Sequence, residues 1–73
     1  MKYDLKDIFE YIVVFVSEYA KRHNISEIEA FRYIRNFDGL KHIIEFYDVL
    51  HTFSFEDAMN DVDIISQRNG GRL

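Results

Sequence analysis

The sequence predicts an all-α fold, a compact bundle of four short helices at about residues 4–22, 26–36, 39–50 and 54–67. Three observations lead there. Proline is absent and glycine is confined to Gly39, Gly70 and Gly71, so little interrupts a helix except where a break is wanted. Apolar residues recur at three- and four-residue spacing through most of the chain. Capping patterns stand in front of the periodic segments.

The elements follow in order. Asp4 is placed to cap the first helix, with Asp7 three residues on and Tyr3 and Ile8 at the positions of a hydrophobic staple. Lys21, Arg22 and His23 suit the negative end of that helix, and Asn24 is a left-handed stop. Ser26 with Glu29 forms a capping box for the second helix, stapled by Ile25 and Ala30. A break at Phe37-Asp38-Gly39 precedes the third helix, for which Asp38 is the candidate cap, and Ser54 with Asp57 opens the fourth. Residues 1–69 then make a single domain, and Gly70 to Leu73 a flexible C-terminal tail.

Helical wheels assign the buried faces. The first helix turns Leu5, Ile8, Phe9, Ile12, Phe15, Val16, Tyr19 and Ala20 to one side; the second offers Ile28, Phe31 and Ile34. Leu40, Ile43, Phe46, Tyr47 and Leu50, flanked by Ile44 and Val49, leave the third only a narrow polar strip, which makes it the most buried element expected. The fourth contributes Phe55, Ala58, Met59, Val62 and Ile65. The β-branched run Tyr11 to Val16 also suits a buried strand. Periodic apolar positions continue on both sides of it, however, and no hairpin turn supplies a partner strand.

Composition narrows the function classes. A 73-residue chain that is 48% hydrophobic, with seven Phe and five Tyr, can build a core, though one of this size is thin. Without cysteine there are no disulfides or thiolate metal sites, which fits the cytoplasm. The longest apolar run, Tyr11 to Val16, is far short of the ~20 residues of a membrane span, and no signal peptide is evident. A net charge of −4 disfavours nucleic acid. A helix-turn-helix reading around Gly39 fails because the would-be recognition helix carries Glu45 and Asp48.

No catalytic or cofactor site emerges. His23, His42 and His51 lack the four-residue spacing of a helical metal pair, and the acidic run from Glu56 to Asp63 has neither the glycine nor the terminal glutamate of a calcium loop. Ser17, Ser26, Ser54 and Ser66 belong to no nucleophile motif. The expectation is a protein without enzymatic activity, cofactor or metal.

Apolar residues that the wheels leave outside the core suggest contact with another protein or a second copy of this chain. Val14 falls among Asp7, Glu10, Ser17 and Lys21; Tyr11 sits beside Asp4 and Glu18; Tyr33 lies opposite Phe31; and Ile64 shares a face with Asn60 and Gln67. Tyr11, Val14, Tyr33 and Ile64 are therefore the candidate interface. The alternative is a homodimeric structural protein with no separate partner.

Phe46-Tyr47-Asp48-Val49-Leu50-His51-Thr52 followed by Asp61-Val62-Asp63-Ile64 resembles the signature of a family of short, all-helical bacterial proteins of unknown function. Glu18-Tyr19-Ala20-Lys21 and His23-Asn24-Ile25-Ser26 are similar to that family as well. The resemblance carries over no established activity. It does imply that some members are encoded beside ADP-ribosyltransferase-like proteins, as a small antitoxin would be. It also singles out Leu50, His51, Thr52, Asp61 and Asp63. Their local chemistry suggests a corner between the third and fourth helices, with Asp61 or Asp63 bonding back to it.

Overall fold

A computed structural model describes residues 3–73. The first two residues of the expected 1–69 domain lie outside that range. Among the described residues there are five helices and no strand: α1 (Leu5–His23), α2 (Glu27–Asn36), α3 (Gly39–Glu45), α4 (Tyr47–Leu50) and α5 (Phe55–Arg68). The all-α bundle expected from the periodicity is the observed architecture, with the third helix divided in two.

Local chemistry sets most of the boundaries. Asn24 stops α1 in the left-handed conformation (φ 55°), its N–H donating to Ala20 and Lys21 carbonyls. The capping box is complete: Ser26 Oγ accepts from Glu29 N at 3.1 Å, and Glu29 Oε1 accepts from Ser26 N at 3.3 Å. Ser54 Oγ accepts from Asp57 N at 3.1 Å and opens α5. The two aspartates expected to cap act otherwise. Asp4 precedes α1 in extended conformation without a side-chain cap bond, and Asp38 precedes α3 with φ 66° and again no cap bond. Asp38 supplies the left-handed turn that lets α3 leave α2 sharply, a conformation Asp tolerates better than most residues.

Gly39 has a packing role. A Cβ there would stand 3.0 Å from Val62 Cγ1 and 3.1 Å from the Ile34 carbonyl, so only glycine lets α2, α3 and α5 meet this closely.

The core joins Phe15, Val16, Tyr19 and Ala20 of α1, Ala30, Tyr33 and Ile34 of α2, Ile43 of α3, Leu50 of α4, and Ala58 and Val62 of α5. Its largest members are aromatic. Phe15 stacks on Tyr19 (ring centroids 5.7 Å apart), and Tyr19 on Tyr33 (6.3 Å). α1 therefore supplies the largest share, and the α3–α4 segment is not the innermost element expected. It turns Ile43, Tyr47 and Leu50 inward and leaves Ile44, Phe46 and Val49 exposed, since no element among the described residues covers its outer side. The helix breaks at Phe46 (φ −110°, ψ 22°) with no glycine or proline present. Tyr47 turns in against Tyr3 (5.0 Å) and Tyr11 (5.4 Å), and this aromatic contact holds α4 as a separate turn.

The C-terminal residues fold back. Gly70 is left-handed (φ 91°), Gly71 N donates to the Ser66 carbonyl at 2.9 Å, and Gly71 is buried against the Tyr33 ring. The residues expected as a flexible tail thus begin with a turn that covers Tyr33. No helix among the described residues is long and apolar enough to cross a membrane.

Candidate interaction surface

α1 is apolar around more than half its circumference, wider than one packing face requires. Its inner side enters the core. Its other apolar side, running Leu5, Phe9 and Val13 at four-residue spacing, stands in solvent, with Leu5 75% and Phe9 67% exposed. α2 packs against α1 but is only ten residues long, and its Ile28 (64% exposed) and Phe31 also face outward. Between the two helices lies an open groove of about 360 Å³, floored by Ile12 and Val16 and walled by Phe9, Val13, Ile28 and Phe31. Arg32 and Arg35 form one rim, and Glu27 stands at the other end of α2. Large apolar side chains in one open patch, bordered by charge, are the pattern of a contact surface.

The wheel assigns Leu5, Phe9, Ile28 and Phe31 to the core and no role to Arg32 and Arg35. The breadth of the apolar arc on α1 was the available signal.

Of the four residues expected at the interface, two face outward: Val14 is 47% and Ile64 48% exposed, on α1 and α5 respectively, and neither lines the groove. The other two face inward. Tyr33 is 7% exposed, enclosed by Tyr19, Phe37 and the C-terminal turn. Tyr11 is half-buried, stacked on Phe55 at 5.4 Å with its hydroxyl donating to the Leu50 carbonyl at 3.4 Å. Burial raises the pKa of both hydroxyls, with Tyr47 adding to the shift of Tyr11 and Asp63 to that of Tyr33. α1 has neighbours on two sides, α2 on one and α4 with α5 on the other, so its buried arc is rotated toward Tyr11 and away from Phe9.

The corner residues close α4. Leu50 is in the core, His51 Nδ1 donates to the Tyr47 carbonyl at 2.8 Å with its ring stacked on Tyr47 at 4.7 Å, and Thr52 Oγ1 donates to the Val49 carbonyl at 2.6 Å. Asp61 and Asp63 do not bond back to this corner. Being two residues apart on α5, they diverge and tie it to different helices. Asp61 Oδ2 lies 2.6 Å from His42 Nε2 on α3. Asp63 receives the Tyr19 hydroxyl, His23 Nε2 at 3.1 Å and Arg22 Nη2 at 3.4 Å, all from α1. Arg22 also donates to Asn60 Oδ1 and, at 3.4 Å, to the Glu56 carbonyl.

With its side chain only 17% exposed, Asp63 is the polar clasp between the ends of α1 and α5. Burial first, and then donation to Asp63, hold the Tyr19 hydroxyl well above the ordinary tyrosine range. The arrangement sets a hydroxyl, an imidazole and a guanidinium round one mostly covered carboxylate. Among the described residues, no group of three or more His, Asp or Glu side chains is placed to hold a metal ion.

The model of a family described as "Protein of unknown function (DUF3791)" matches residues 10–69. No curated protein and no solved structure matches the chain.

Proposed function

Because the chain belongs to this DUF3791 family, whose function is unknown, we propose from its surface that it is a small helical module that acts by covering part of another protein and does no chemistry of its own. The observation that carries this reading is the open apolar groove between α1 and α2. Phe9, Val13, Ile28 and Phe31 are all at least 36% exposed there, although the chain has an intact core without them. Exposing these groups to water costs about 25 cal/mol for each Å² that a partner covers.

The partner that the sequence resemblance suggests is an ADP-ribosyltransferase-like enzyme encoded nearby, with this chain as its antitoxin-like subunit. The clasp around Asp63 and the His42–Asp61 pair fit a structural role in that reading, since both hold α5 against the rest of the bundle.

The test is co-expression of the tagged chain with the neighbouring enzyme, beside a Phe9→Asp variant and a Val14→Glu variant. The enzyme is expected to co-purify with the unaltered chain and to be lost from Phe9→Asp. Val14→Glu reports whether the contact extends round α1. If a folded Phe9→Asp chain retained the enzyme in full, the groove would not be the contact surface. Light scattering on the pure chain separates the alternative, a structural homodimer, which would be a dimer without any partner.

A further inference from the structure

Resting on that reading, we propose that the groove between α1 and α2 receives an amphipathic helix of a separate protein, one that sets carboxylates against Arg32 and Arg35.

The walls of the groove select a helix. Both are α-helices whose backbone N–H and C=O groups are bonded within themselves, so an extended segment laid there would find no backbone partners. A helix brings its own hydrogen bonds and needs only an apolar stripe to offer. Phe9, Val13, Ile28 and Phe31 make a slot for such a stripe, with anchors at three- and four-residue spacing.

The rim selects its charge. The chain carries a net −4, yet Arg32 and Arg35, three residues apart on α2, have no carboxylate partner among the described residues. Arg35 is held in place. Its Nε donates to Asn36 Oδ1 at 3.3 Å, and its guanidinium lies 5.9 Å from the centroid of the Phe31 ring, which leaves the η nitrogens to reach an incoming carboxylate. Glu27 belongs to the first turn of α2, where the helix dipole accommodates it, at the opposite end from Arg35.

A second copy of this chain is a poorer occupant. Its acidic helix, α5, turns Ala58 and Val62 into its own core and presents only Ile64 among large exposed apolar residues. On α1, the exposed stripe of Leu5, Phe9 and Val13 is edged by Lys6 as well as Glu10, 4.0 Å apart, so it offers the arginines no net negative edge.

The experiment uses the full chain and two synthetic amphipathic peptides with the same leucine stripe, one with glutamates and the other with lysines along one edge. Binding is measured by calorimetry at low and high salt. The glutamate-edged peptide is expected to bind about tenfold more tightly than the lysine-edged one, the size of two exposed ion pairs, with the difference shrinking as salt rises. A double variant, Arg32→Glu with Arg35→Glu, is expected to reverse the preference. Arg32→Gln with Arg35→Gln, which keeps the size of the rim, is expected to abolish it.

Equal binding of the two peptides, binding of neither, or a dimer by light scattering at the same concentration would each overturn the proposal. If the enzyme of the co-expression test is retained while neither peptide binds, this inference fails and the broader reading stands. If Phe9→Asp retains the enzyme, the broader reading fails with it.

Discussion

The hydroxyl of Tyr19 on α1 donates to the carboxylate of Asp63 on α5, 44 residues away in the chain, and both side chains are largely shut off from water. A hydrogen bond to a charged acceptor contributes about 1.5–3 kcal/mol, so Tyr19→Phe is expected to lower the unfolding free energy by that amount, measured by urea denaturation. Asp63→Ala should cost more, because it strands the Tyr19 hydroxyl inside the bundle and removes the carboxylate that Arg22 and His23 share. Equal midpoints for Tyr19→Phe and the unaltered chain would show that the clasp does not stabilise the fold.

Alkali should act through the same residue. Burial and the bond to Asp63 raise the folded-state pKa of Tyr19, and burial raises those of Tyr11 and Tyr33, all from an ordinary value of 10.0. Below pH 10 folded and unfolded chains both keep these protons, and stability is undiminished. Above it the unfolded chain releases protons that the folded chain retains, so stability falls by about 1.4 kcal/mol per pH unit for each such group until the folded pKa is passed. Circular dichroism and tyrosinate absorbance, followed together, are expected to change in concert above pH 10. Complete tyrosinate formation with the helices intact would contradict the burial of these hydroxyls.

How far these features were legible in the sequence depends on their range. The capping box at Ser26 and the left-handed stop at Asn24 are local chemistry, and both stand where the residues place them. The inward turn of Tyr33 and the outward turn of Phe9 were not legible. A wheel tells which residues share a side of a helix, but how many neighbours that helix has is decided by the whole chain. Tyr33 is covered by a turn at Gly71, 38 residues later, and Phe9 is left open because the neighbours of α1 bury its side toward Phe15 and Tyr11. The same limit applies to Asp61 and Asp63. That they would be bonded could be read from their acidity and position, but His42 and Tyr19 as their partners required the tertiary fold.

Asp38 and Gly39 offer a test of the turn between α2 and α3. The positive φ belongs to Asp38 (66°), which makes no side-chain cap bond, so Asp38→Gly removes a strained Cβ and should stabilise the chain by up to about 1 kcal/mol. Gly39→Ala would place a methyl 3.1 Å from the Ile34 carbonyl and 3.0 Å from Val62 Cγ1, atoms that packing holds still. It is expected to cost about 1–3 kcal/mol. Thermal unfolding of the two variants gives opposite shifts if the turn is as described. A stabilising Gly39→Ala would mean that Val62 and Ile34 give way and that close approach does not require glycine at 39, and a destabilising Asp38→Gly would mean that the positive φ costs Asp38 little.

Phe9 and Phe15 provide the sharpest separation of surface from core, since the periodicity puts both on one side of α1 while the fold divides them. Phe15 is fully buried and stacked on Tyr19, so Phe15→Ala should cost about 3–5 kcal/mol, comparable with the whole stability of a domain this small. Phe9 is 67% exposed, and Phe9→Ser should change the unfolding free energy by no more than about 0.5 kcal/mol. Urea denaturation of the two variants decides the matter. A stable Phe9→Ser chain means that folding does not account for a phenylalanine at this position, and that what it touches is supplied from outside the chain. A Phe9→Ser chain that unfolds would instead make the groove the edge of the core, and α1 would have no free face to present.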